Sequence, residues 1–201
     1  MKKYIIIAIV LFLNSCETKN TTKEEKKTDI DSIINALKTE KKNIDITAES
    51  KKSISYYGQN GDIFTRTKDT VSSDNFDKFF HIIKDNMGNV ILIQEIQDSE
   101  DEYTTISNYF NRSGDMFFNS IESFHFENPC QNGEIKDLRY VKDIFYYKFN
   151  VVSNEEYFLD DKSKKYKAID CTFNGTMDSN IYKNLKDVGK QNKKLFELFT
   201  K

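Results

Sequence analysis

The sequence has no tryptophan, one proline, two histidines, three cysteines and only three arginines among its 201 residues. The scarcity of arginine, beside 27 lysines and a formal net charge of −2, excludes an ordinary nucleic-acid binder. Such proteins carry a basic excess and read base edges with the guanidinium fork. Catalytic signatures are missing as well. There is no G-x-S-x-G elbow, no H-E-x-x-H, no C-x-x-C, no phosphate-binding glycine loop and no EF-hand pattern. No stretch reaches 18 consecutive apolar residues, so nothing reads as a membrane-spanning helix. The length excludes a large multidomain enzyme. What is present is 38% apolar and 13% aromatic side chains, too many for a disordered chain.

The N-terminus departs from this average. Lys2 and Lys3 precede an unbroken apolar run of nine, Ile5 to Leu13, followed by Asn14, Ser15 and Cys16. Nine residues are too few to cross a hydrocarbon layer of about 30 Å, which takes about 20 in a helix. A charged start, a short apolar core and a small-residue stop are the order of a cleavable secretory signal. Leu13-Asn14-Ser15-Cys16 resembles the lipobox of bacterial lipoproteins. That resemblance implies cleavage before Cys16 and acylation there. It also implies a mature protein held to the membrane by lipid, with no transmembrane helix. The expected location is the periplasmic side of the outer or inner membrane, or the cell surface.

The chain then divides into a signal peptide at 1–15, a lipidated cysteine with a flexible charged tether at 16–29, and one domain at 30–201. Residues 17–29 hold no apolar side chain, and eight of the thirteen are charged, four of each sign. Such a segment buries too little to offset the entropy of ordering it. Ile30, Ile33, Ile34 and Leu37 then fall on one helical face, predicting a helix near 29–42 capped by Thr28 or Asp29.

From about 53 to 173 the pattern is mostly β. Val90 to Ile96 and Met116 to Phe126 read as strands. Phe145, Tyr147, Phe149 and Val151 alternate with Ile144, Tyr146, Lys148 and Asn150 in period two. Turn clusters stand at Asp85-Asn86-Met87-Gly88-Asn89, Asn111-Arg112-Ser113-Gly114-Asp115 and Asp160-Asp161-Lys162-Ser163. Such short links join antiparallel neighbours. Ile181, Leu185, Val188, Leu195 and Phe199 predict a C-terminal helix of about 20 residues capped by Asp178 or Ser179. The expected fold class is α+β: a curved, meander-like antiparallel sheet of six to eight strands, flanked by an N-terminal and a C-terminal helix.

With Cys16 lipidated, Cys130 and Cys171 remain, and an exported pair suggests a disulfide. His81 and His125 read as packed strand residues, so no metal site is expected. No cofactor is expected either. The acidic loop Asp98, Glu100, Asp101 and Glu102 is a candidate partner surface. Ile144 and Tyr146 join it if their side of the sheet is open. Asp31-Ser32-Ile33 and Asp69-Thr70-Val71 resemble bacterial O-glycosylation acceptors. The expectation is a lipid-anchored, non-enzymatic binding or envelope-assembly module for an unknown protein or apolar ligand. A carrier of an apolar ligand between sheet and helices, and an immunity factor against a toxin, are the alternatives; a hydrolase comes last.

Overall fold

The computed structural model describes residues 21–50, 54–59, 63–66, 78–98, 102–125, 138–167 and 182–200. They form an α+β fold. Helix α1 (Thr21–Ser50) precedes strands β1 (Ile54–Gln59), β2 (Ile63–Arg66), β3 (Lys78–Lys84), β4 (Val90–Asp98), β5 (Glu102–Phe110), β6 (Met116–His125), β7 (Arg139–Tyr147), β8 (Asn150–Leu159) and β9 (Lys165–Lys167). Helices α2 (Leu185–Gln191) and α3 (Lys193–Thr200) follow. The strands make one antiparallel sheet in the order β2-β1-β3-β4-β5-β6-β7-β8-β9, so everything from β3 onward is a meander. The strand count is nine where six to eight were expected; β2 and β9 are only four and three residues long.

Neighbouring apolar residues separate to opposite faces, as strand geometry requires. Ile82, Ile93, Phe110 and Met116 pack under the C-terminal helices with Tyr182, Val188 and Leu195. Ile83, Leu92, Tyr109, Phe118 and Phe145 pack under α1 with Ile44, Leu37 and Ala48. Both faces are therefore covered where β4 begins. This explains why Val90, Ile91, Leu92 and Ile93 run without a polar break and are all buried.

Helix α1 is longer than its apolar periodicity predicts. It starts at Thr21 and ends at Ser50, so residues 21–29 of the expected tether are helical. Lys23 to Lys27 are good helix formers with no apolar stripe to reveal them. At the other end, Ile44 and Ala48 continue the face begun by Leu37, and Lys41 pairs with Asp45 at 2.8 Å one turn on.

The single C-terminal helix is also corrected, to two short ones. Asn184 caps α2 by accepting the Asp187 amide at 3.1 Å. Asn192 then serves both helices. Its amide donates to the Val188 carbonyl at 2.7 Å, and its side chain accepts the Leu195 amide at 3.0 Å. Gly189 permits the fold-back, because a Cβ there would lie 3.1 Å from Cγ of Phe196. Asp178 and Ser179, the expected caps, lie outside the described residues.

A third correction falls on the expected strand through Ile144 to Val151. β7 stops at Tyr147 and β8 starts at Asn150, its direct partner. Lys148 and Phe149 form a two-residue turn with φ of +49° and +66°. Neither central position holds the glycine, asparagine or aspartate that signals such a turn; Asn150, just after it, donates from its side chain to the Lys148 carbonyl at 3.2 Å.

Candidate functional site

Successive hairpins point to alternate ends of a meander. The turns joining β3 to β4, β5 to β6 and β7 to β8 therefore share one end of the sheet. The first two are built alike. The Asp85 carboxylate accepts the Met87 and Asn89 amides at 2.8 and 2.9 Å. The Asn111 side chain accepts the Ser113 and Asp115 amides at 2.9 and 3.0 Å. Each turn places a glycine at positive φ, Gly88 at +85° and Gly114 at +78°.

Helix α1 lies across the strands near this end. Lys41 holds its ammonium 5.2 and 5.1 Å over the rings of Tyr109 on β5 and Phe118 on β6. The Tyr109 hydroxyl donates to Asp45 at 2.8 Å. Its C-terminal half and the two glycine turns enclose a groove of about 440 Å³. Ile44, Ile91 and Phe110 give it an apolar floor, and Asn43, Thr47, Ser50 and Asn86 give it a hydrogen-bonding rim. Glu40 and Arg112 add opposite charges. Burial pushes the Glu40 carboxyl above the usual range, and the Arg112 guanidinium partly offsets this. On the other face the same turns and α2 and α3 flank a second groove of about 390 Å³, lined by Asn89, Ser113, Asp115, Asn184, Lys186 and Phe196 among others.

Beside α1, a polar row crosses the sheet. His81, Gln94, Ser107, Ser120 and Asp143 stand opposite one another on consecutive strands β3 to β7. Gln94 donates to Ser107 at 3.1 Å. Ser120 and Tyr157 donate to Asp143 at 2.7 and 2.8 Å. This is not a hydrolytic triad: His81 lies three strand spacings from Ser120, about 14 Å, and the serine proton rests on a carboxylate. Burial lowers the His81 pKa, which favours the neutral imidazole.

The face under α2 and α3 holds a second polar group. Glu95, 1% exposed, accepts from Lys78 at 2.8 Å and Gln97 at 2.9 Å. Asn119 donates to Asn108 at 3.0 Å, both fully buried. Asn108 Nδ2, Asn119 Oδ1 and the Tyr182 hydroxyl have no hydrogen-bond partner among the described residues. Each costs about 1–3 kcal/mol unpaired. The asparagine pair and Tyr182 are buried too deeply to meet a ligand from solution.

The residues singled out in the sequence fare unevenly. Cys16, Cys130, Cys171, Glu100 and Asp101 lie outside the described residues, as does Asp69-Thr70-Val71. Asp98 and Glu102 are described only as the facing ends of β4 and β5. Ile144 is buried and Tyr146 packs against the core under α2 and α3. Their side is therefore covered, because the C-terminal helices lie on it. The exposed apolar residues of this hairpin are instead Tyr147, Phe149 and Val151. The groove residues escaped sequence reasoning because they come from α1 and two distant turns. Only the turns left a signal.

Among the described residues no three His, Cys, Asp or Glu side chains group to hold a metal, and no helix is long and apolar enough to cross a membrane. No protein-family model, curated protein or solved structure matches the chain.

Proposed function

We propose that this chain is an exported lipoprotein, held to the membrane by acyl chains on Cys16, and that it acts as a non-enzymatic binding module of the cell envelope. The observation that carries the reading is the order Lys2-Lys3, Ile5 to Leu13, then Leu13-Asn14-Ser15-Cys16 at the N-terminus. A sheet with helices on both faces gives such an anchor a rigid head.

The groove between α1 and the glycine turns is the docking place. Its apolar floor and hydrogen-bonding rim suit two or three side chains of a protein segment, with Glu40 and Arg112 fixing orientation. Docking at this site needs no proton transfer or nucleophile.

Radiolabelled palmitate tests the anchor: the chain incorporates it and Cys16→Ser does not. Incorporation by Cys16→Ser contradicts the lipobox reading. A photo-crosslinker at Asn43 tests the groove. It is expected to capture a discrete envelope protein, and Arg112→Glu to abolish capture. Native mass spectrometry that finds a bound apolar small molecule and no protein partner replaces the binding module with a carrier.

A further inference from the structure

The end of the sheet that carries the glycine turns also carries four of the seven exposed large apolar side chains of the described residues. Met87, 68% exposed, stands at the tip joining β3 to β4. Phe149, 53% exposed, stands at the tip joining β7 to β8, between Tyr147 and Val151 at 41% and 57%. We propose that this end rests on an anionic lipid bilayer, with Phe149 and Met87 entering the headgroup region.

The first support is the backbone. Type I′ turns favour Asn-Gly, because both central residues need positive φ. Here Lys148 and Phe149 occupy those positions, at +49° and +66°. A strained conformation is retained where it holds an aromatic ring out into solvent, and strain of this kind gathers at functional contacts.

Charge is the second. Between Ile144 and Asn154 there is one charged residue, Lys148, and no acid. Lys186, which lines the second groove together with Gly88, is an exposed cation on the same end. The acid at the first tip, Asp85, turns its carboxylate inward onto backbone amides. An aromatic and aliphatic tip with flanking cations matches the headgroup zone, where amphipathic rings and basic side chains concentrate.

The third support is where the chain leaves. Thr47 and Ser50 of α1 line the groove with Asp85 and Asn86. Lys41 lies over β5 and β6, and the helix also meets β7 and β8. Its N-terminal half therefore passes on the β7–β8 side of the sheet, and Cys16 precedes Thr21 by five residues in the sequence. An acyl anchor there would make tip insertion intramolecular, so a weakly inserting tip suffices. Acylation supplies proximity only; the tip chemistry stands apart from it.

The absence of tryptophan makes the test clean. Phe149→Trp places one emitter on an exposed aromatic position, and Met87→Trp places one on the neighbouring tip. Lys162→Trp, in the turn at the opposite end, is the control. The full chain is reconstituted into phosphatidylglycerol-containing vesicles brominated near the acyl carbonyl, and palmitate labelling is read on the same preparation. Emission from positions 149 and 87 shifts to the blue and is quenched, while position 162 does neither. Labelled chain with unshifted emission at 149 and 87 overturns the bilayer contact and leaves the anchor standing; a blue shift there only on adding envelope protein assigns the tip to a protein partner, against the proposal. Unlabelled chain whose emission at 149 still shifts on adding vesicles overturns the anchor and supports the tip.

Discussion

Four described turns join strands, and three of them follow one design that the fourth abandons. Asp85, Asn111 and Asp160 each open a turn by accepting the amides two and four residues on. For Asp160 these are Lys162 and Lys164 at 3.0 and 2.8 Å. Each of the three places its fourth residue at positive φ: Gly88, Gly114 and Ser163. The β7–β8 turn has no such side-chain acceptor at its start, no glycine, and two non-glycine residues at positive φ. The contrast separates turns that stabilise the sheet from a turn that presents side chains. If local stability had governed the fourth, Asn-Gly would serve better than Lys148-Phe149.

Substitutions break this comparison in order of size. Gly114→Val should cost most, about 2–3 kcal/mol, because it combines positive-φ strain with crowding. A Cβ at Gly114 already meets Leu185 Cδ1 at 3.2 Å. Gly88→Val should cost less, about 1–2 kcal/mol, since nothing lies within 4 Å of its Cβ. Equal losses in urea denaturation would mean that crowding by Leu185 contributes nothing. Asn111→Ala leaves two turn amides without their acceptor and should cost about 1 kcal/mol.

Asp160→Asn sharpens the comparison through pH, since it copies the acceptor used at Asn111. Backbone amides, chiefly that of Lys164, and the Tyr166 hydroxyl hold the Asp160 carboxyl below its ordinary value. A lowered carboxylate pKa gives stability that is present above the unfolded value near pH 4 and lost as pH falls through the folded one. The wild-type chain should therefore be the more stable of the two at pH 7, lose stability more steeply below pH 4, and approach Asp160→Asn in acid. Parallel acid profiles by circular dichroism would remove the carboxylate from this role.

The three stabilising turns were legible in the sequence because glycine, asparagine and aspartate announce positive φ and side-chain capping. β4 and β6 were legible from their apolar runs, and the helices from spacing. The β7–β8 turn was not, since Tyr147 to Val151 reads as unbroken alternation. Neither was the start of α1, because Lys23 to Lys27 have no apolar stripe. The break at Asn192 hid within a pattern that stays in phase on both sides. Groove residues came together only through the packing of α1 on the sheet, which places Ser50 beside Asp85 and Asn86 across a long stretch of chain.

The smallest expected effect bears on the central claim, that Phe149 is held out for contact rather than for folding. The measurement is the urea midpoint of Phe149→Gly. Glycine relieves the left-handed strain, while its freedom in the unfolded chain takes back part of the gain, leaving about 0.5 kcal/mol of stabilisation. The account predicts a midpoint above that of the wild-type chain with an unchanged denaturant slope. A lower midpoint would show that Phe149 stabilises the folded sheet, and would contradict it.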